Sequence, residues 1–403
     1  MRRIYKTLIQ NHLDKYRQMI FITGPRQVGK TTLSKSCAEG YPYIYLNWDN
    51  LEHREQILAG ISVIYDKLTT TLQDQTKTPI IIFDEIHKFR NWKNLLKGYF
   101  DTIESRCKVI VTGSAKLNVY RRGGDSMMGR YFLYRIHPLT VAEIVDKHQQ
   151  FTNEINPPQK ITSTKWNNLL NYGGFPEPYL EANPLFYQRW INLKHEQFFR
   201  EDLRDLSKIF DLSRLELLAN LLIRQIGSTT KYSELAKKVQ VSEPTIRNWI
   251  STLQNLYYCY AISPWSKNIS RSLLKEPKIY LWDWSVIPEQ GAKIENLVAS
   301  HLYKAVNFWT DLGLGKYDLF YLRDKDKHEV DFLVTKNKNP WLMVEVKTSS
   351  NGRVSENLHH FNKQLKVPHV FEVVANLDYV DQDCFAAKKP TIVPLITFLS
   401  QLV

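Results

Sequence analysis

The amino-acid sequence predicts a multidomain α/β protein, and three observations lead to that fold class. The chain has 403 residues, more than one hydrophobic core usually holds, so roughly two to four domains are expected. Between residues 17 and 135, short apolar runs alternate with helical stretches, which is typical of a parallel sheet. A mainly helical middle follows, and a second mixed α/β pattern begins near residue 273.

The composition of the chain indicates which binding partners and which cellular compartment to expect. The formal net charge of +13 favours a polyanionic partner, DNA before an anionic membrane, although a basic surface that is merely solvated remains the alternative. No segment approaches the roughly 18 apolar residues of a membrane-spanning helix, so no membrane contact is expected. The four cysteines are scattered without a metal-binding spacing, which indicates reduced thiols and a cytoplasmic location: Cys37, Cys107, Cys259 and Cys384.

The first apolar run, "MIFIT", leads into a glycine-rich loop, "GPRQVGKTT", that fits the phosphate-loop pattern G-x-x-x-x-G-K-[ST]. Gly24 and Gly29 allow backbone N–H groups to surround phosphate oxygens. Lys30 reaches the β and γ phosphates of ATP, and Thr31 supplies a hydroxyl ligand to Mg²⁺. The residues expected to contact the nucleotide are Gly24, Pro25, Arg26, Gln27, Val28, Gly29, Lys30, Thr31 and Thr32.

The third apolar run, "PIIIFDEIH", ends in two acids. A buried strand that delivers paired acids at its carboxyl end is the Walker B arrangement. Asp84 is expected to hold Mg²⁺, directly or through water, and Glu85 to polarise the attacking water. Two acids after a strand are often only a solvated strand end, but their position downstream of the phosphate loop in an α/β chain favours catalysis.

The fourth run, "KVIVTGSAK", ends in hydroxyl residues suited to orienting that water, with Ser114 the first choice and Thr112 the second. Four arginines follow in "RRGGDSMMGRYFLYR": Arg121, Arg122, Arg130 and Arg135. Arg130 is the best candidate for an arginine finger that reaches a neighbouring subunit, which would require a homo-oligomer. A surface role is the ordinary alternative for each of these arginines.

These motifs, in this order and with "YGGFPEPYL" after them, resemble the prokaryotic AAA-type ATPases that carry a DUF4143 region at the C-terminus. The resemblance covers nearly the whole chain. It implies a helical lid after the core. Together with the sequence patterns it leads us to expect four domains: an AAA-type core at residues 1–152, a helical lid at 153–212, a winged helix-turn-helix at 213–272 and a PD-(D/E)xK nuclease-like DUF4143 domain at 273–403. His87 stands where many relatives carry glutamine, which does not affect nucleotide binding.

The segment 228–260 predicts a short helix, a tight turn and a second helix. Ser233 and Ser242 are expected to cap these helices, with Pro244 in the first turn of the second. Side chains on the exposed face of that helix suit base contacts in a major groove: Glu243, Thr245, Arg247, Asn248 and Ser251. Winged helices also bind proteins, and an acid at the start of the helix is not ideal for DNA.

Near the C-terminus, "HEVDFLVTKNKNPWLMVEVKTSS" predicts a hairpin with Asp331 on its first arm and Glu345 and Lys347 on one face of the second. These residues follow the D…ExK layout of PD-(D/E)xK nucleases, and Glu295 matches the helical acid that often precedes it. Glu295, Asp331 and Glu345 would then hold Mg²⁺ or Mn²⁺, with Lys347 assisting catalysis. The alternative is an ordinary charge pair across a sheet.

Two functions are therefore considered. In the first, an ATP-hydrolysing AAA-type ATPase acts on DNA, with metal-dependent cleavage by a PD-(D/E)xK nuclease-like domain as a second activity. In the second, the protein is an ATP-gated switch that binds DNA or protein, and its nuclease-like domain is catalytically inert. An ATPase that acts on protein partners is a weaker third hypothesis, against which the net charge of +13 argues mildly.

Overall fold

The computed structural model of the chain describes residues 3–70, 77–103, 106–113, 127–145, 152–203, 211–266 and 276–403. It divides into two compact units, Met1–His137 and Pro138–Val403, which are described separately. Among the described residues, no helix is long and apolar enough to cross a membrane.

The first unit is a parallel five-stranded sheet with helices between its strands. The strands are β1 (Met19–Thr23), β2 (Tyr43–Asn47), β3 (Ile80–Asp84), β4 (Lys108–Thr112) and β5 (Tyr131–Arg135), in the spatial order β2-β3-β4-β1-β5. The helices are Tyr5–Lys15, Lys30–Ala38, Leu51–Ala59, Ile61–Thr70 and Trp92–Ile103, with a 3₁₀ turn at Ile86–Lys88. The predicted parallel sheet is confirmed, and β5 is a strand that the sequence pattern did not identify.

Burial explains why these runs form strands. Every residue of β1 and β3 is buried, as expected for central strands of a parallel sheet that is covered on both faces. The carboxyl ends of β1, β3 and β4 are neighbours in the sheet. The loops that follow these three strands therefore meet at one edge, which is where ligands bind in open α/β sheets.

The second unit begins with a helical part and ends with a mixed sheet. Its helices are Val141–Val145, Ser163–Tyr172, Pro176–Glu181, Pro184–Gln197, Leu212–Ile223, Tyr232–Val239, Glu243–Asn255, Gln290–Asp311, Glu356–Leu365 and Leu395–Gln401. A π-helical turn covers Phe198–Asp202, and 3₁₀ turns cover Trp284–Val286 and Cys384–Ala386. Its strands are β6 (Cys259–Ile262), β7 (Lys278–Leu281), β8 (Tyr317–Arg323), β9 (Glu329–Lys336), β10 (Asn339–Lys347), β11 (His369–Val374) and β12 (Thr391–Pro394).

The predicted pair of short helices is present at Tyr232–Val239 and Glu243–Asn255, and β6 follows and pairs antiparallel with β7. Ser242 caps the second helix, because its side chain accepts a hydrogen bond from the backbone N–H of Thr245. The prediction that Ser233 caps the first helix is wrong. That helix already starts at Tyr232, so Ser233 lies inside its first turn, and Lys231 is the cap residue without a side-chain capping bond.

The C-terminal sheet has the order β12-β11-β10-β9-β8. The neighbouring strands β9 and β10 form the predicted antiparallel hairpin. Asn337 and Lys338 at its turn both have positive φ angles, 52° and 70°, which suits a two-residue turn that matches the twist of the strands. The long helix Gln290–Asp311 belongs to the same unit and brings Glu295 toward the sheet.

The first compact unit ends at His137, before the predicted core boundary at residue 152. Contacts within the second unit explain this division. Lys304, which is fully buried, donates to the Thr140 hydroxyl at 2.9 Å and pairs with the Glu143 carboxylate, and the backbone N–H of Val141 donates to His301 Nε2 at 3.0 Å. Compactness alone does not define a domain, so the four predicted domain limits stay predictions.

Candidate nucleotide site and C-terminal acid cluster

The phosphate loop runs from the end of β1 to the start of the helix Lys30–Ala38, as predicted. Gly24 has a φ of 148°, and a Cβ atom there would lie 2.3 Å from the carbonyl oxygen of Ile136. Gly29, with a φ of 92°, is the N-terminal cap of the helix. Both positions therefore require glycine. Within the loop Pro25 and Val28 are buried, whereas Arg26, Gln27 and Thr32 are exposed.

Lys30 lies beneath this loop. Its ammonium group donates hydrogen bonds to the backbone carbonyls of Gly24, at 3.0 Å, and Pro25, at 2.6 Å. Burial lowers the pKa of Lys30 to about 8, even though Glu85 and Asp84 act in the opposite direction. The ammonium group is therefore desolvated and hydrogen-bonded to neutral carbonyls. An anionic phosphate in contact with it would stabilise its positive charge.

Thr31 and Asp84, the two predicted Mg²⁺ ligands, lie together. The Thr31 hydroxyl donates to Asp84 Oδ2 at 2.8 Å, and the Tyr45 hydroxyl donates to the same oxygen at 2.7 Å. The buried Thr112 hydroxyl donates to Asp84 Oδ1. A carboxylate and a hydroxyl are hard oxygen ligands, which fit Mg²⁺ with water and phosphate oxygens in the remaining positions.

Glu85 follows Asp84 in a left-handed backbone conformation, with a φ of 55°. Its backbone N–H donates to the carbonyl of Thr112 at 3.2 Å. Burial, and after it the Asp84 carboxylate, raises the pKa of Glu85. A non-glycine residue in this region of φ costs on the order of 1 kcal/mol or more and is common at functional sites, and a raised pKa makes the carboxylate a stronger base.

The other two catalytic predictions have different outcomes. Ser114 lies outside the described residues, whereas Thr112, the second choice, contacts Asp84. Arg130 forms a two-bond ion pair with Asp101, with Nε at 3.0 Å and Nη2 at 3.1 Å from the two carboxylate oxygens. Its assignment as an arginine finger stays a prediction.

Sequence reasoning missed Tyr45. The register of β2 and β3 places Tyr45 beside Ile82 and Asn47 beside Asp84, so the tyrosine reaches the Asp84 carboxylate from the neighbouring strand. A tyrosine within "YIYLN" is ordinary for a strand. Only the strand order β2-β3 could have identified it, and the sequence pattern does not provide that order.

Some of the residues predicted to form the nuclease-like site also lie close together. The register that pairs Val344 with Phe332 sets Glu345 opposite Asp331 on the hairpin. Lys347 Nζ lies 2.6 Å from Glu345 Oε1, and the lysine side chain is 45% exposed whereas that of Glu345 is 6% exposed. Asp331 Oδ2 accepts a hydrogen bond from the backbone N–H of Val346 at 2.9 Å.

A lysine that the sequence reasoning did not consider lies among these acids. Lys278, at the start of β7, is 1% exposed. Its Nζ atom is 2.7 Å from Glu329 Oε1, 3.4 Å from Asp331 Oδ1 and 3.6 Å from Glu295 Oε1. Burial alone would lower the pKa of Lys278, but the three carboxylates outweigh it and raise the pKa above the ordinary value. In "KEPKIYL" nothing distinguishes this lysine from a solvated one.

Glu295 is held from several sides. Its Oε1 atom accepts a hydrogen bond from the Tyr280 hydroxyl at 2.8 Å. Gly227 approaches so closely that a Cβ atom there would lie 2.4 Å from Glu295 Oε2. Burial, and after it the Asp331 carboxylate, raises the pKa of Glu295. Glu345 Oε2 is buried and has no hydrogen-bond partner among the described residues.

Comparison with protein families gives three consecutive matches. An AAA domain model, AAA_14, matches residues 16–145. Two domains of unknown function follow: DUF8612 at residues 163–291 and DUF4143 at residues 290–392. The DUF8612 match spans most of the region that the sequence patterns divided into a lid and a winged helix-turn-helix.

The chain is also similar to three proteins known only as uncharacterized. Those of Mycobacterium bovis and Mycobacterium tuberculosis are each 21% identical over 361 residues, which is 84% of this chain and 72% of theirs. One from Methanocaldococcus jannaschii is 23% identical over 343 residues, 73% of this chain and 71% of its own.

Two solved structures resemble this chain, both with low TM-scores. The Walker-type ATPase paby2304 of Pyrococcus abyssi has a TM-score of 0.41 and 14% identity, covering 70% of this chain and 93% of its own. AMPPCP-bound DnaA from Aquifex aeolicus has a TM-score of 0.30 and 14% identity, covering 62% of this chain and 85% of its own.

Proposed function

Because the chain is an AAA-type P-loop ATPase with a DUF4143 region at its C-terminus, we propose that it hydrolyses ATP and that the bound nucleotide controls how its second half engages DNA. We further propose that the C-terminal acid cluster does not cleave DNA. The observation that carries the first proposal is the 2.8 Å contact between Thr31 and Asp84 beside the phosphate loop.

The roles of the residues in hydrolysis follow from their contacts. Mg²⁺, when bound with ATP, offsets the negative charge that builds on the phosphates, and Thr31 and Asp84 would hold it. Lys30 would exchange the Gly24 and Pro25 carbonyls for phosphate oxygens. Glu85 would orient a water molecule and accept its proton, which its raised pKa favours.

A route from the nucleotide to the second half exists along the chain itself. The backbone N–H of Ile136 donates to Thr23 at 2.7 Å, and its carbonyl lies against Gly24 of the loop. Four residues later, Thr140 is held by Lys304 in the second unit. A shift of the loop on hydrolysis would therefore pull directly on a segment anchored by a buried ion pair.

For DNA, the support comes from the helix Glu243–Asn255 and the positive charge near it. Arg247, Asn248 and Ser251 are exposed on this helix, and Lys237 and Lys238 are exposed on the helix before it. Arg247 forms an ion pair with Glu243 at 2.6 Å, so part of its charge is offset within the helix. Phosphate contacts from the lysines would then dominate affinity, which predicts binding that weakens strongly with salt.

The test is duplex DNA binding measured by fluorescence anisotropy at several salt concentrations, with ADP and with a non-hydrolysable ATP analogue. We expect the two nucleotides to give different affinities, and Lys237→Ala/Lys238→Ala to weaken binding and flatten its salt dependence. Lys388→Ala/Lys389→Ala removes the same charge at another exposed site and should bind like the wild type. If both double variants bind alike, the helix pair is not the DNA surface. If no DNA binds, the protein-binding alternative is favoured.

The C-terminal acids do not fit a catalytic metal as they stand. Mg²⁺ requires about six oxygen ligands at roughly 2.1 Å, whereas the Lys278 ammonium already lies between Glu295, Glu329 and Asp331. Glu345 Oε2 is one buried oxygen without a hydrogen-bond partner among the described residues, and one oxygen does not build a site. This arrangement supports the inert alternative over the nuclease.

A cleavage panel tests this proposal. Single-stranded, duplex and branched DNA would be incubated with the wild-type protein and Mg²⁺ or Mn²⁺, with and without ATP. We expect no cutting of any substrate. Cutting that is lost in Glu345→Ala and Lys347→Ala, with ATP hydrolysis retained in both, would overturn the inert assignment and establish the nuclease.

A further inference from the structure

A cluster of two histidines and one aspartate lies at the end of the C-terminal sheet. It shares no residue with the acids around Lys278. Asp324 directly follows β8, His328 directly precedes β9, and His360 is in the helix Glu356–Leu365. One ligand atom from each residue lies within 4.8 Å of the others. We propose that Asp324, His328 and His360 bind a Zn²⁺ ion, which links the β8–β9 turn to this helix.

The side chains already face one point. Asp324 Oδ2 lies 2.9 Å from His328 Nδ1 and 3.0 Å from His360 Nε2. The other carboxylate oxygen, Oδ1, accepts the backbone N–H of His328 at 3.0 Å, which fixes the orientation of the carboxylate. The two imidazole rings are stacked, with centroids 4.3 Å apart. Two imidazole nitrogens thus converge on one carboxylate oxygen.

The distances suit a small tetrahedral ion after a minor adjustment. Ligand bonds of about 2.0–2.1 Å at tetrahedral angles place ligand atoms roughly 3.4 Å apart. The separations of Asp324 Oδ2 from His328 Nδ1 and His360 Nε2 are 2.9 and 3.0 Å, so each needs to open by only about half an ångström. All three side chains are partly exposed, which leaves room for that movement and for a water molecule as the fourth ligand.

Buried residues lie close to the three ligands in sequence. Leu322, Val330 and Phe361 lie within two residues of Asp324, His328 and His360 in sequence, and all three belong to one buried hydrophobic cluster. The ligands therefore stand on elements that packing already fixes, as a metal site requires. Little conformational entropy remains to be lost when an ion binds.

The donor set selects the kind of metal. Two imidazoles and one carboxylate suit Zn²⁺ and neighbouring transition ions, whereas Mg²⁺ and Ca²⁺ prefer oxygen ligands only. This preference separates the cluster from the nucleotide site, where Thr31 and Asp84 offer oxygens. An experiment without nucleotide, using Co²⁺ as a spectroscopic probe in place of Zn²⁺, addresses the cluster alone.

Tag-free protein, purified with a chelator and then dialysed, would be titrated with Co²⁺ and followed by visible absorption. We expect the bands of a four-coordinate Co²⁺ ion at one equivalent, and their loss on addition of Zn²⁺. His328→Ala and His360→Ala should each weaken binding by roughly 100-fold or more, since each removes a direct ligand. His359→Ala, on the exposed side of the same helix, is the matched control and should bind like the wild type.

Thermal unfolding with and without Zn²⁺ supplies a second measurement. The wild type and His359→Ala should melt at a higher temperature with Zn²⁺, and His360→Ala should not. No Co²⁺ spectrum in the wild type would overturn the proposal and leave a hydrogen-bonded cluster. Equal binding by the wild type and both ligand variants would also overturn it, because the ion would then be held elsewhere. Neither result bears on ATP hydrolysis.

Discussion

Lys30 and Lys278 are both buried lysines beside paired acids, yet their surroundings are opposite. Lys30 is 8% exposed, and its Nζ donates to two backbone carbonyls. Lys278 is 1% exposed and lies within 3.6 Å of three carboxylates. The pKa of Lys30 is lowered to about 8, whereas that of Lys278 is raised.

The difference teaches that the position of the ammonium group decides what the acids can bind. At the phosphate loop, neutral hydroxyls from Thr31, Tyr45 and Thr112 hold Asp84, so its negative charge remains for a metal ion. In the C-terminal cluster, a cation built into the chain already offsets the acids. The two groups of acidic residues therefore differ in chemistry because a lysine from elsewhere in the chain lies among the C-terminal ones.

The largest expected effect concerns Lys278. Lys278→Met leaves Glu295, Glu329 and Asp331 near one another without their cation, and the loss of one partner of a buried ion pair costs about 3–5 kcal/mol. We expect a correspondingly lower melting temperature by calorimetry. ATP hydrolysis measured below the melting transition should persist, because Lys278 has no part in the nucleotide site.

Two variants complete this test. Lys325→Met removes an exposed lysine and should change the free energy of unfolding by less than about 0.5 kcal/mol. Lys278→Met combined with Asp331→Asn and Glu295→Gln should regain part of the loss, because fewer uncompensated charges remain. Unchanged stability in Lys278→Met would mean that the ammonium group does not hold the cluster. Binding of Mn²⁺ by the wild type that is lost in Asp331→Asn and in Glu295→Gln would show that the acids accept a metal despite Lys278.

The next effect concerns Lys30. Lys30→Met removes the ammonium group that would contact the phosphates, and loss of one preorganised donor at a developing charge lowers a rate by roughly 10²–10³-fold. We expect such a loss in steady-state phosphate release, with a melting temperature close to that of the wild type. A variant that hydrolyses ATP normally would exclude Lys30 from the site.

The sequence could predict the nucleotide site well because its signals are local. The phosphate loop, from Gly24 to Thr31, follows one strand, and Asp84 and Glu85 stand at the end of another. Parallel strands bring their carboxyl ends to the same edge of the sheet, so the two motifs meet there. The contact between Thr31 and Asp84 is therefore a consequence of the predicted sheet. Tyr45 was not predictable in the same way, because its role depends on which strand lies beside β3.

The C-terminal cluster was predictable only in part, for a related physical reason. The sequence predicted a hairpin with Asp331 on its first arm and Glu345 and Lys347 on one face of the second, and the register of β9 and β10 sets Asp331 opposite Glu345. Lys278 comes from β7, more than fifty residues earlier in the chain, and its burial depends on tertiary packing. From sequence alone, a charged residue in a short strand is expected to be exposed to solvent. Burial of Lys278 among the acids changes the interpretation of the whole cluster. The error at Ser233 has a smaller cause, a helix that begins earlier than the cap pattern suggests.

The smallest effect is the pH dependence of nucleotide binding, which follows from the lowered pKa of Lys30. A phosphate binds the ammonium form and not the neutral amine, so binding should be insensitive to pH below about 8, where Lys30 is charged in the free protein. Above that pH the free protein loses the proton and must recover it on binding. Affinity should then fall by up to about tenfold per pH unit, or roughly 1.4 kcal/mol.

A non-hydrolysable ATP analogue titrated between pH 7 and pH 9.5 measures this dependence. Calorimetry at pH 8.5 in buffers of different ionisation enthalpy should also reveal proton uptake on binding. Lys30→Met should bind more weakly but without the fall above pH 8, because it has no proton to recover. A wild-type affinity that is constant to pH 9.5 would mean that Lys30 keeps its proton, and the contrast with Lys278 would then concern geometry alone.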